Sequence, residues 1–352
     1  MRILVVGGGV MGCATALELA SRGAREVVVL ERAVPGAEAS SAAAGMLAAQ
    51  VESRNEAELE RFARARDAYG AWAVELRERT GIDIAHRKSG ALVLARSDDE
   101  LARLDASVRE QRARGLAAEI LDARGARAIE RELGEAFVGA AHFPDEAQVD
   151  PPQLLRALTA AIARAGVRVR GGATVSALLH EGDRCIGASL DGREVLRADA
   201  VVLAAGSWSS LVPGVPNDVP RVRPIRGQLV QLDERPPRLA SIVFSDHAYV
   251  VPRGDGRVVC GSTMEDVGHR REVTAAGVQG ILASAIAIAP RLGEAEFARA
   301  WSNFRPHAAS GEPLVGASPL PGLFLATGHH RNGILLANTT ARAVADAVLA
   351  SC

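Results

Sequence analysis

The hydrophobic pattern opens with short apolar runs alternating with helical stretches. Residues 2–6, RILVV, form an unbroken apolar run, and GGGVMG follows at once. A helical pattern then covers 13–22, Gly23 supplies a stop, and EVVVLE at 26–31 is a second unbroken run. Buried parallel strands are apolar on both faces, so this succession predicts a βαβ unit. Charged, alanine-rich helical patterns occupy 56–80 and 98–116, with a short strand, ALVLA, at 91–95. PPQLLRALTAAIARAG, 151–166, predicts an amphipathic helix that begins at two prolines and stops at Gly166. VRVRGG and a hairpin signal at Asp191-Gly192 lead to AVVLAAG, 200–206, a central strand ending in a glycine turn. From about residue 224 the pattern changes, and GQLVQL and AYVVPRGDGRVVCGST predict antiparallel strands. Residues 274–300 read as helix, GLFLATG at 322–328 as a buried strand, and 333–350 as a final helix. Parallel-type elements thus sit at both ends and in the middle, with antiparallel ones between. The fold class is α/β, α+β overall, with a Rossmann-like parallel sheet.

Composition narrows the chemistry. The 352 residues are enough for one large domain or two interleaved ones. A formal net charge of -1 gives no pull toward nucleic acid or an anionic membrane, and neither is an expected partner. No apolar run is expected to reach the length of a membrane span, and the start lacks the basic segment of a secretory signal, so the expected location is the cytoplasm. Cys13, Cys185, Cys260 and Cys352 are scattered without a CxxC, as free thiols in a reducing compartment would be. No metal site is expected. Lys88 is the sole lysine, in the polar stretch AHRKSG. A Walker A lysine is therefore missing. A Schiff-base lysine needs desolvation that this stretch does not offer, so pyridoxal chemistry is disfavoured too.

Gly7, Gly9 and Gly12 complete G-x-G-x-x-G after a strand and at the opening of a helix. Those positions serve a tight turn, close approach to a pyrophosphate and close helix–strand packing. Glu31 ends the second strand, where a carboxylate accepts hydrogen bonds from ribose hydroxyls. The stretch RAVPGAEASSAAAGMLAAQ that follows is no ordinary crossover. Its small residues make either a flexible surface loop or a backbone passing close to a large flat ligand. No second glycine fingerprint follows, so one dinucleotide is expected, and FAD fits better than a pyridine nucleotide.

GGGVMG…ER…ASSAAAGMLA, DHAYVVPR, FRP and GHHRNGILLA together resemble the glycine oxidase branch of the D-amino-acid oxidase family of flavoproteins. The similarity covers essentially the whole chain, in the same order. It implies a non-covalent FAD held by a domain made of residues 1–85, 140–224 and 305–352. A mainly antiparallel substrate-binding domain would comprise 86–139 and 225–304. The implied reaction is oxidative deamination of glycine, sarcosine or a small D-amino acid by hydride transfer to the flavin. Its products are an imino acid and then an oxo acid, ammonia and hydrogen peroxide. The resemblance also implies a role in thiamine biosynthesis and a homo-oligomer, a homotetramer being the branch's habit. The alternative is a dehydrogenase that passes electrons to a quinone or partner protein instead of oxygen.

The same resemblance implies particular residues. Gly7, Gly9, Val10, Met11, Gly12, Glu31, Arg32, Ala39, Ser40, Ala44, Gly45, Met46 and Val175 match cofactor positions, as do His329, His330, Arg331, Asn332, Gly333, Ile334 and Leu335. A helix N-terminus beneath the flavin would stabilise negative charge on it. The reaction needs no obligatory side-chain acid or base, but it does need a clamp for the substrate carboxylate, and a bidentate arginine is the natural one. Arg305 and Arg331 match the family's substrate-side arginines. Among forty arginines, any single one read alone would be a surface residue. Tyr249, one of two tyrosines, matches a substrate-site hydroxyl, and read alone is equally a strand aromatic in a core. His247 matches a pocket histidine or faces solvent, and Met264 matches a pocket wall or fills core. Asn303, His307 and Asn338 depart from the pattern, and His330 stands where the branch often has phenylalanine.

Overall fold

The computed structural model describes every residue except Glu135, His247 and Cys352. Six strands form one sheet, in the order Leu314–Ala317, Leu323–Thr327, Ala200–Leu203, Arg2–Val6, Glu26–Glu31, Arg168–Gly171. All neighbours are parallel except the first pair. The mixed α/β fold expected from the pattern is therefore present. Alternate side chains of the first strand enter two different cores, as period-two geometry requires. Ile3 and Val5 pack with the helices Val10–Ser21, Pro151–Arg164 and Gly333–Ala350. Leu4 and Val6 pack on the opposite face, against a three-stranded antiparallel sheet, Val175–Glu181, Arg184–Leu190 and Glu194–Arg197. Complete burial of each such side chain contributes about 1.5–3 kcal/mol relative to exposure. Asp191 and Gly192 make the turn between the last two of those strands, as their sequence predicts.

An eight-stranded sheet occupies the rest of the molecule. Its order is Glu296–Ala308, Val222–Asp233, Arg257–Gly261, Ala248–Pro252, Ile242–Ser245, Ala91–Ala95, Gly139–Phe143, Glu119–Asp122. The pairing is antiparallel except between Ile242–Ser245 and Ala91–Ala95. Val250, Val258 and Cys260 face a core shared with the helix Ala275–Ile288. Tyr249, Val251 and Val259 face the other way, together with Ala44 and Ala48. The eight-stranded sheet is tied to the segments around Ala44 and Gln148 by the buried Arg253, which donates to Gln148 Oε1 and Val149 O at 2.7 Å each and to the Ala44 carbonyl. Trp301 Nε1 adds a 3.0 Å bond to Ala42 O.

Three expectations from the pattern change. The helix expected over 274–300 ends at Ile288, and Pro290 opens a short 3-10 turn. The remainder is the thirteen-residue strand Glu296–Ala308, paired along its length with Val222–Asp233. The small-residue stretch after Glu31 is no open loop but contains the single-turn helices Ala39–Ala42 and Ala49–Glu52. Finally, residues 330–350 are long and apolar enough to cross a membrane by length and composition, with a mean hydropathy of 1.2 and 56% of that window buried. The alanine-rich face that raises its hydropathy packs on the first helix.

Candidate active site

One continuous cleft runs between the two sheets. Its first end is built from backbone. Gly7, Gly9, Val10 and Met11 line it at the opening of the first helix, which has no side-chain cap and no acid in its first turn. The helix therefore offers N–H groups and a partial positive charge to an anion. Ser40 Oγ accepts from Val10 N at 2.9 Å and ties in the small-residue segment. Gly12 does not line the cleft; it lets the helix dock. A Cβ there would lie 1.9 Å from the Gly7 carbonyl oxygen. Glu31 lies at the cleft edge and accepts from Gly8 N at 2.8 Å and Ala33 N at 2.9 Å. Arg32, Ala39, Ala44, Gly45, Met46 and Val175 line the same stretch. Trp208 joins them, with the Arg32 guanidinium 3.8 Å from its ring centre.

The last helix supplies the floor. His329, His330, Arg331, Asn332, Gly333 and Ile334 line the cleft, and Leu335 packs in the core behind them. This helix also lacks a side-chain cap. Its start is pinned by the buried Tyr69 hydroxyl, which donates to Ile334 O. His329 bonds Thr340 Oγ1 through Nε2 at 2.9 Å, while its buried Nδ1 has no partner. Burial pushes the pKa of His329 down to about 3, so its ring is neutral. His330 adopts a left-handed φ of 48°. Its ring meets the ring of His307 edge-on at 4.9 Å, and burial followed by Arg305 lowers it to about 3.

The far end is built from side chains. Arg305 lies within the strand Glu296–Ala308. Its guanidinium donates to Ser262 Oγ at 2.7 Å, Thr263 O at 3.1 Å and Arg226 O at 3.4 Å. Every one of these partners is neutral. Burial lowers the Arg305 pKa, and Tyr249 opposes that shift. Gly227, opposite Asn303 in the neighbouring strand, makes room for it. A Cβ on Gly227 would lie 2.3 Å from Arg305 Nη1. The loop carrying Ser262 and Thr263 is held by Glu265, which accepts from Gln228 Nε2 at 2.7 Å and pairs with Arg226. Tyr249 is buried in the cleft wall, and burial raises its pKa while Arg305 draws it down. Arg331 pairs with Glu52 across the cleft.

Met264 is a correction. It is 58% exposed and takes no part in the cleft, because the chain turns outward after Thr263 to bridge Glu265 with Arg226. His247 lies outside the described residues. Asn303 is buried in the cleft wall, where its Oδ1 accepts from Phe304 N at 2.8 Å. Asn338 is buried in the last helix, with no partner for Nδ2. The sequence reading missed Glu52, Ser262, Gly227 and Trp208. Trp208 alone had a local signal, standing just past the glycine turn of a central strand.

A long cleft with two uncapped helix N-termini, closed at one end by a buried arginine with neutral partners, has the shape and the donors to hold a dinucleotide. The chain belongs to the DAO family of FAD-dependent oxidoreductases, which it matches over residues 2–347. It is 36% identical to the bifunctional protein ThiO/ThiG of Nostoc sp., over 99% of this chain and 52% of that one. It thus spans about half the length of such relatives. It is also 36% identical to the glycine oxidase of Geobacillus kaustophilus, over 98% of this chain and 92% of that one. The crystal structure of the Geobacillus kaustophilus enzyme superposes with a TM-score of 0.93, covering 99% of this chain and 94% of that one. That of the Bacillus cereus glycine oxidase, 29% identical, gives 0.94 over 100% and 95%. FAD is the cofactor. The cleft fits it: backbone donors face its first part, and the unpartnered His329 Nδ1 belongs to a residue of its floor.

Proposed function

We propose that the protein oxidises glycine or a small related amine such as sarcosine or a small D-amino acid. Glycine, oxygen and water would give glyoxylate, ammonia and hydrogen peroxide. The observation that carries this reading is Arg305, a buried guanidinium at the cleft end whose hydrogen-bond partners are neutral. Such a group is poised for a carboxylate, which restores the charge balance that burial removes. Tyr249 borders the same space and offers a hydroxyl to that carboxylate, with Arg331 on the opposite side. FAD, held by the residues from Gly7 to Met46 and from His329 to Ile334, supplies when bound the acceptor for a hydride from the substrate Cα. His329 and His330 are neutral and hydrogen-bonded or packed, so neither adds a competing cation there. Our reading keeps a FAD-binding part, 1–85, 140–224 and 305–352, and a substrate-binding part, 86–139 and 225–304, although the strands Gly139–Phe143, Val222–Asp233 and Glu296–Ala308 of the eight-stranded sheet run across these bounds.

The test is aerobic incubation of purified protein with a panel of small amino acids, following oxygen uptake and peroxide. Glycine turnover with stoichiometric peroxide is the expected result. Turnover with an artificial acceptor but not oxygen would assign a dehydrogenase instead. The iminoacetate formed from glycine supports a role in thiazole assembly for thiamine. We place the protein in the cytoplasm as a homo-oligomer, a homotetramer by resemblance. Val273, Ile286 and Phe297, each at least 38% exposed around the uncharged helix Ala275–Ile288, support self-association, and light scattering measures it.

A further inference from the structure

Glu52 is an acid inside the cleft that no motif singles out. It lines the same space as Arg305 and Arg331, and its side chain is 10% exposed. Burial raises its pKa, while Arg331 and Arg305 pull it back down. Its position is firmly built. Glu52 ends the single turn Ala49–Glu52. The first two N–H groups of that turn donate to the fully buried Glu146, at 2.7 Å from Ala49 and 2.5 Å from Gln50. The Gln50 side chain is fixed in turn by Arg66 at 2.7 Å and Gln111 at 2.9 Å. Shifting the turn that carries Glu52 would break a buried polar network, which is costly in a low-dielectric interior.

The two arginines of the cleft are therefore unequal. Arg305 hydrogen-bonds neutral oxygens and feels the Glu52 charge without a direct bond to it, whereas Arg331 is paired directly with Glu52. We propose that Glu52 is a charge filter: by occupying Arg331 it leaves one free cationic partner, so the cleft admits substrates with one carboxylate and refuses those with two. A second carboxylate would meet the Glu52 charge instead of a free guanidinium, and like charges at close range in a shielded site repel strongly. This inference rests on the reading of Arg305 as the carboxylate clamp.

The experiment compares binding of acetate and malonate to the FAD-loaded protein by calorimetry, so that no turnover is needed. In Glu52→Gln, the preference for malonate over acetate rises about tenfold or more relative to wild type, because Arg331 is released. Glu52→Asp keeps the wild-type ratio, and adding Arg331→Leu to Glu52→Gln removes the gain. Arg331→Leu alone leaves Glu52 bare and lowers the ratio, which provides a reading even where Glu52→Gln does not load FAD. A ratio within about twofold of wild type in Glu52→Gln, or in Arg331→Leu, overturns the filter. The clamp is judged separately: acetate binding that survives Arg305→Ala sinks the reading of Arg305 and leaves the Glu52 ratios to be read on their own. Iminodiacetate turnover gained by Glu52→Gln extends the result from binding to catalysis.

Discussion

The two ends of the cleft are made of different materials. The end near Gly7 is backbone: glycines, an uncapped helix start and small side chains that let main chain approach. The end near Arg305 is side chain: a guanidinium, a phenol and a carboxylate brought in by separate strands and turns. Backbone recognition is written in a few consecutive residues and fails all at once when its geometry fails. Side-chain recognition is written in scattered residues and fails by degrees.

That contrast can be broken first at Gly12. Gly12→Ala places a Cβ 1.9 Å from Gly7 O, so the first helix has to shift. Overpacking of this kind costs about 1–3 kcal/mol or more, and FAD occupancy after purification is expected to fall below about a tenth. Full flavin absorbance in that variant would contradict the tight docking. Next is Arg305→Ala, which leaves FAD loading intact but lowers kcat/KM for glycine by about a hundredfold to a thousandfold, the scale of losing a desolvated charge pair. An unchanged kcat/KM would transfer the clamp to another residue.

Gly227→Ala sharpens the comparison at the level of positioning. Its Cβ collides with the guanidinium at 2.3 Å, so KM rises about tenfold while the flavin spectrum stays as in wild type. The smallest effect concerns stability. His329 has its pKa lowered from 6.5 to about 3, chiefly by burial. The unfolded chain thus binds the extra proton first. The stability linked to a neutral His329 is complete above pH 6.5 and is lost as pH falls toward 3. The slope is at most about 1.4 kcal/mol per pH unit. Thermal midpoints of wild type and His329→Gln should accordingly converge between pH 7.5 and pH 5. A gap that stays constant would mean that the ring does not titrate differently on unfolding.

The same contrast explains what could be read without coordinates. Residues 2–31 were legible because strand, fingerprint, helix and acid are contiguous, and each is dictated by local sterics. The far part of the helix expected over 274–300 was not, since EAEFARA at 294–300 has the alanines and charges of a helix yet lies in a paired strand from Glu296. Pro290 and the pairing with residues 222–233 decide between them. Met264 sits close in sequence to Ser262 but points away, because the hydrogen bonds of Thr263 and Glu265 turn the loop. Glu52 had no local signature at all. Its partner is Arg331, 279 positions along the chain, and only folding creates the pair.

The cleft joins residues 7–11 to residues 326–334, so segments far apart in the sequence meet in one site. During synthesis, the parallel sheet lacks the strand Leu323–Thr327 and the floor lacks its helix until residues 323–350 have left the ribosome. A nascent chain then holds the glycine loop but no completed ring site. A nascent chain that stops before residue 323 therefore cannot complete the floor of the cofactor site.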